Sequence, residues 1–324
     1  MRVKTVHRII LWASVVILFA VLPAAAGEPL LQTDHFWVTV DDFSIYVMRK
    51  FMERRKRLPV LLVHGTWGNS QTWDLPGRSV MEYLAHRGYD VYALDLRGMG
   101  QSARPANYFT FGLLDRVHDV AAVAEHILTA TGRKPVIAGW SQGGLLTGLV
   151  AAHLPNLVAG VGLFGIPAHG FYIDPQFLPL FEQVIASGVD RYLPSPDVAF
   201  AIAFGFDPST GKPTISAEAF QIYVNSCEAD SVRVILEEFS PEYFQAVISP
   251  AWPSILVPAL VVDGALDIGV GEERTRLLFD ALGSDRKQLF IFPRNHHGWF
   301  LEDNSEATLR AFDRFLSQFK DQNQ

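Results

Sequence analysis

The chain has 324 residues, 49% of them hydrophobic and 19% charged, with a formal net charge of −7. That length and balance describe a well-packed globular protein of one large or two ordinary domains and exclude a disordered chain. The negative charge disfavours nucleic acid as a partner.

The N-terminus reads as an export signal. Arg2, Lys4 and Arg8 precede an apolar run from Ile9 to Leu22, followed by Pro23 and Ala24-Ala25-Ala26. This is a basic n-region, an h-region and an A-x-A cleavage site. The run of 14 residues falls short of the about 20 that a bilayer span needs. Residues 1–26 are therefore expected to be a signal peptide, with the mature protein secreted or periplasmic and a net charge of −10 once three cations are removed. An uncleaved membrane anchor is the alternative. Cys227 is the only cysteine, so no intramolecular disulfide forms, and a core this large does not need one. It has no strand–turn–helix context and reads as a buried thiol or a lid residue, not a nucleophile.

Trp37–Val40 and Ser44–Met48, around Asp41-Asp42, read as an opening hairpin. The basic cluster Lys50 to Arg57 reads as a solvated connection between strands. Pro59–Val63 is wholly apolar, as in a strand buried on both faces of a parallel sheet, and ends in His64-Gly65-Thr66-Trp67-Gly68. Gln71 to Arg87 carries one helical pattern closed by Gly88. Tyr89–Leu94 is the next buried strand and runs into the turn Asp95 to Ser102, where Asp95 and Arg97 are expected to brace the loop. A helix follows over 114–131. Its His118 and His126 are read as ordinary helix residues, and no His, Cys and carboxylate set has metal-ligand spacing. No metal or cofactor is expected.

Next come an apolar strand, Pro135–Ala138, then Gly139-Trp140-Ser141-Gln142-Gly143, then a helix over Gly144–Ala152. A five-residue pattern with three fixed positions recurs by chance. The strand before it and the helix after it make it a G-x-S-x-G nucleophile elbow. The turn strains the serine backbone and brings strand and helix so close that positions two before and two after must be small. Strands are expected again over Leu157–Phe164 and Ile255–Val262. The 88 residues between, Pro167 to Ser254, hold 14 Phe, Tyr and Trp. That is too long for a loop in a compact domain, so a helical lid is expected, part of whose aromatics line an apolar pocket over Ser141. The strand to Val262 leads to Asp263 and Asp267. A helix over 271–283 and a strand over 288–292 lead to His296 and His297, and a closing helix starts at the N-cap Asn304.

The elbow, the His64-Gly65 loop and the D-x-R-G-x-G-x-S turn after the following strand resemble those of the α/β-hydrolases, over about Phe36 to Phe319. So does the order Ser141, Asp267, His297. The resemblance implies an α/β fold: a mostly parallel eight-stranded sheet flanked by helices, with core residues 27–166 and 255–324 and a lid over 167–254. It implies a triad in which Ser141 is the nucleophile, His297 the base and Asp267 the acid, with the backbone N–H groups of Thr66 and Gln142 as oxyanion hole and Trp67 as fallback donor. Asp263 is read as a brace. His297 stands five residues before Glu302, as the family's base does, though His296 replaces the usual preceding glycine. The expected activity is hydrolysis of a small-molecule ester with a small or medium hydrophobic acyl group. A cofactor-free perhydrolase or C–C bond hydrolase, or a catalytically silent binding protein, are the alternatives.

Overall fold

The computed structural model describes residues 30–53, 58–172, 178–195, 206–207 and 212–319. The expected signal peptide lies outside these residues, as do parts of the expected lid.

Eight strands make one sheet: β1 (Leu31–Val40), β2 (Phe43–Met52), β3 (Pro59–Val63), β4 (Asp90–Leu94), β5 (Val136–Trp140), β6 (Gly160–Phe164), β7 (Ala259–Gly264) and β8 (Lys287–Phe292). The order is β1-β2-β4-β3-β5-β6-β7-β8. β1 and β2 form an antiparallel hairpin, β2 pairs antiparallel with β4, and all other pairs are parallel. The chain winds one way from β3 to β4 and the other way from β5 onward. The carboxyl ends of β3 and β5 therefore flank a topological switch point, where open α/β sheets form their ligand crevice.

Burial on both faces explains why β3 and β5 are apolar throughout, while β4 carries one buried carboxylate, Asp90, which Arg49 and the Tyr92 hydroxyl meet. Leu61, Val63, Leu94 and Ile137 enter a core roofed by α2 (Leu113–Thr131) and α3 (Gln142–His153). Val60, Leu62, Ala93 and Ala138 enter a second core under α1 (Val80–His86) and α8 (Ser305–Leu316). Between β6 and β7 the described part of the insert holds α4 (Leu178–Ser187), α5 (Ala217–Ser226) and α6 (Val232–Phe239). α7 (Gly271–Ala281) follows β7.

Three local expectations are corrected. Residues 71–87 are not one helix: a 3-10 turn, Ser70–Trp73, stops before Pro76-Gly77, and α1 starts afresh under the Ser79 cap. Proline removes an N–H donor and Gly77 takes φ +71, which together end helical pairing. Lys50 is not solvated; it lies buried in β2 and binds Asp74 and Glu82 at 2.8 and 2.7 Å. Ile255 begins no strand: Ser249–Ser254 is a 3-10 turn, and the ladder starts at Ala259. Asn304 holds the N-cap position of α8 without a side-chain capping bond.

Candidate active site

β5 runs into Ser141, which has φ 55° and ψ −126° and caps α3. A non-glycine residue in that region stores about 1–3 kcal/mol of strain. The neighbours over-determine it. Ser141 N–H donates to the Phe164 carbonyl at 2.9 Å. A Cβ on Gly139 would stand 2.0 Å from the Gly143 oxygen, and one on Gly143 2.2 Å from the Val63 oxygen. Both are backbone contacts that cannot yield, so the two glycines are what lets α3 start against β3 and β5.

The tip of β7 carries both acidic residues. Asp267 Oδ1 accepts the N–H groups of Gly269 and Val270 at 2.8 and 3.0 Å. Its Oδ2 receives the His297 Nδ1–H at 2.6 Å. Burial alone would push this carboxyl up, but the charge of His297 and its hydrogen bond outweigh burial and hold it below the usual carboxylate range. Asp263 goes the other way: burial, then the charge of Asp267, raises it well above its ordinary value. Its oxygens accept from the Thr275 hydroxyl and its neighbour's Gly264 N–H, which makes it the brace of the β7 tip. The environments thus push two adjacent carboxyls in opposite directions.

Beyond the end of β8, His296 and His297 take different partners. Between His296 and Thr214 the Nδ1···Oγ1 distance is 2.8 Å, and the His296 N–H donates to Glu302 at 2.7 Å. His297 sits 5.2 Å, ring to ring, from Trp140, whose Nε1–H donates to the His297 carbonyl at 2.7 Å. Gly165, at φ +60°, leaves its room: a Cβ there would stand 3.0 Å from His297 Nδ1.

The loop after β3 is held from beneath by His64. Its Nδ1–H donates to the Gly65 carbonyl at 2.8 Å and its Nε2 accepts the Leu96 N–H at 3.1 Å. Full burial pulls it down to about 4, against the opposing Gly65 hydrogen bond, so the imidazole is neutral. Among the described residues neither the Thr66 nor the Gln142 N–H meets a protein acceptor, whereas the Trp67 N–H turns to Asp230 of the insert at a long 3.5 Å. In the next loop Asp95 accepts the Ser70 and Gln101 N–H groups, while Arg97 pairs not with Asp95 but with Asp119 of α2 at 2.7 Å.

Ser141, His297, Thr66 and Trp140 open on one cavity of about 110 Å³, walled from the insert by Phe171, Leu193, Tyr223, Val224 and Phe239. Cys227 also lines it, its thiol pushed up to about 11 chiefly by burial and hence neutral. The structure therefore brings Ser141, Asp267, His297, Thr66 and Gln142 to one place. It also brings residues the sequence reading passed over: the buried pair Arg116–Asp230, at 2.5 Å, and Glu238. Glu238 shares the buried face of α6 with Val234 and Ile235. A carboxylate at that helical spacing was the available signal. Among the described residues no group of His, Cys, Asp and Glu could hold a metal ion, and no helix is long and apolar enough to cross a membrane.

The profile of the alpha/beta hydrolase family matches residues 60–311, and the chain belongs to that family. It is 27% identical over 209 residues to a triacylglycerol lipase of Burkholderia plantarii, an alignment covering 63% of this chain and 51% of that protein. It is 31% identical over 257 residues to the pimeloyl-[acyl-carrier protein] methyl ester esterase of Vibrio campbellii, covering 78% and 92%. The chain thus spans about half the length of the lipases it matches. In fold it resembles the enol-lactonase of Burkholderia xenovorans, with TM-score 0.68 and 17% identity over 87% of this chain and 99% of the other.

Proposed function

We propose that the chain is a serine hydrolase that cleaves carboxylic esters of small or medium hydrophobic acyl groups through an acyl-enzyme. The observation that carries this reading is the 2.6 Å Asp267–His297 pair opening on the same apolar cavity as the strained Ser141. Ionised Asp267 keeps the proton of His297 on Nδ1, which leaves Nε2 free as a base. That nitrogen takes the Ser141 proton as Oγ attacks the ester carbonyl. The Thr66 and Gln142 N–H groups receive the oxyanion, each worth about 3–4 kcal/mol in such sites. His297 then gives the proton to the departing alcohol, and water repeats the sequence on the acyl-enzyme. The lid reading of the insert rests on its aromatic wall over the cavity, and the names of the lipase and methyl ester esterase relatives support the ester class.

A fluorophosphonate tests the reading directly. It should label one serine, mapped to Ser141, and Ser141→Ala should abolish both labelling and turnover of p-nitrophenyl esters. Labelling that survives the substitution refutes it. Export rests on the n-region, h-region and A-x-A pattern. The N-terminus of secreted or periplasmic protein should be Gly27 or within a few residues of it. Recovery only in membranes, with Met1 retained, would favour the anchor.

A further inference from the structure

Glu238 lies on α6 of the insert, fully buried, and one of its oxygens touches both residues assigned to the oxyanion hole. Its Oε2 accepts the Thr66 hydroxyl at 2.5 Å and the Gln142 side-chain amide at 2.8 Å. The same amide reaches Thr66 Oγ1 at 3.2 Å, and its carbonyl accepts from Arg116 at 2.6 Å. Arg116 in turn is locked to Asp230 of the insert. Among the described residues Glu238 Oε1 has no hydrogen-bond partner. Burying a carboxyl with one oxygen unsatisfied is costly, and an apolar residue would fill the α6 face at no such cost. The contact is part of a wider attachment of the loop after β3 to the insert: Trp67 Nε1 to the Tyr192 carbonyl at 3.0 Å, Glu228 N–H to the Trp67 carbonyl at 2.9 Å, and Asn69 to Glu228 at 2.9 Å.

We infer that Glu238 is a positioning residue of the oxyanion hole: from the insert, it ties the side chains of Thr66 and Gln142 to one oxygen and so fixes where their backbone N–H groups aim. This rests on the serine-hydrolase reading above. Among the described residues, the two donors, one after β3 and one after β5, are joined through side chains by this cluster and their own 3.2 Å contact. The insert is then a structural half of the oxyanion hole as well as a pocket wall.

The charge state of Glu238 follows from the same geometry. Burial lifts it to about 7, against the Thr66 and Gln142 hydrogen bonds; Asp230 adds to the rise and His297 opposes it. The groups facing it are Thr66 from the β3 loop, Gln142 from α3, with Arg116 of α2 behind that amide, and the charges of Asp230 and His297. The imidazolium formed in catalysis already has Asp267 at 2.6 Å. A second negative charge behind the oxyanion donors adds little there and opposes the charge growing on the substrate. The neutral acid is the more competent form, so kcat falls as pH rises through this ionisation.

The test compares Glu238→Ala and Glu238→Gln with wild type on a p-nitrophenyl ester, with fluorophosphonate mapping alongside. Glu238→Ala should lower kcat about 10–100-fold, less than outright loss of a donor, with KM changed less than threefold. Glu238→Gln keeps an acceptor on Thr66 and Gln142 and should recover at least fivefold of that loss. Its kcat should also lack the alkaline fall of wild type, a readout that needs no Ala variant to fold. Wild-type kcat in Glu238→Ala, a Gln variant as impaired as Ala, or an unchanged alkaline limb in Glu238→Gln would each overturn the assignment. If wild type turns over the ester without labelling at Ser141, the acyl-enzyme reading fails and takes this one with it. If wild type is labelled and the variants behave as wild type, only the role of Glu238 fails.

Discussion

Replacing Asp267 with asparagine exchanges one oxygen for an amide nitrogen, and the structure dictates which one. Oδ1 accepts two backbone N–H groups, from Gly269 and Val270. Turning the amide so that its NH2 faced them would lose both bonds, at about 1–3 kcal/mol each, or about 2–6 kcal/mol together. The carbonyl therefore stays on that side and the NH2 faces His297 Nδ1. A donor there forces Nδ1 to accept and moves the proton to Nε2, the nitrogen that must take the Ser141 proton. The ground-state fold is kept and the base is lost. The expected cost in kcat is about 10⁴-fold, or about 5.4 kcal/mol of transition-state stabilisation, with KM little changed. Stopped assays with p-nitrophenyl butyrate, and circular dichroism to check folding, measure it. A loss below tenfold would refute the tautomer argument and with it the role given to Asp267.

His297→Ala should lower kcat by several orders of magnitude, while His296→Ala, which removes the side-chain contacts to Thr214 and Glu302 but keeps the backbone N–H bond to Glu302, should cost far less; the reverse result moves the base by one residue. Across acetyl, butyryl and hexanoyl esters kcat/KM should rise about fourfold per methylene buried, from about 0.8 kcal/mol each, until the cavity fills; a flat or falling series counts against the apolar pocket. His64 should titrate near 4 by NMR. Its folded value lies below the unfolded one of about 6.5, so the unfolded chain takes the proton first, and about 3 kcal/mol of stability present above pH ~6.5 is lost as pH falls to ~4. A normal His64 titration in the folded protein would contradict its burial.

How much of this could be read without coordinates depended on whether the cause was local. The strand–Ser141–helix turn was legible because Gly139 and Gly143 answer a steric demand within five residues. The apolar runs of β3 and β5, and of β4 after Asp90, were legible because burial on both faces admits a polar group only where a partner meets it. The order Ser141, Asp267, His297 was legible because each residue sits at a strand end that its own segment announces. The pattern over 71–87 misled, since helix continuity depends on Pro76, whereas Asn304 does hold the N-cap position, without a side-chain capping bond. Tertiary structure alone decided the rest. Lys50 is buried because Asp74 and Glu82, distant in sequence, meet its ammonium. Glu238 matters because the insert folds back to set its carboxyl on Thr66 and Gln142, 172 and 96 residues away. Periodicity reports which face of a helix is buried, but what that face touches is set by packing between segments that no local pattern records.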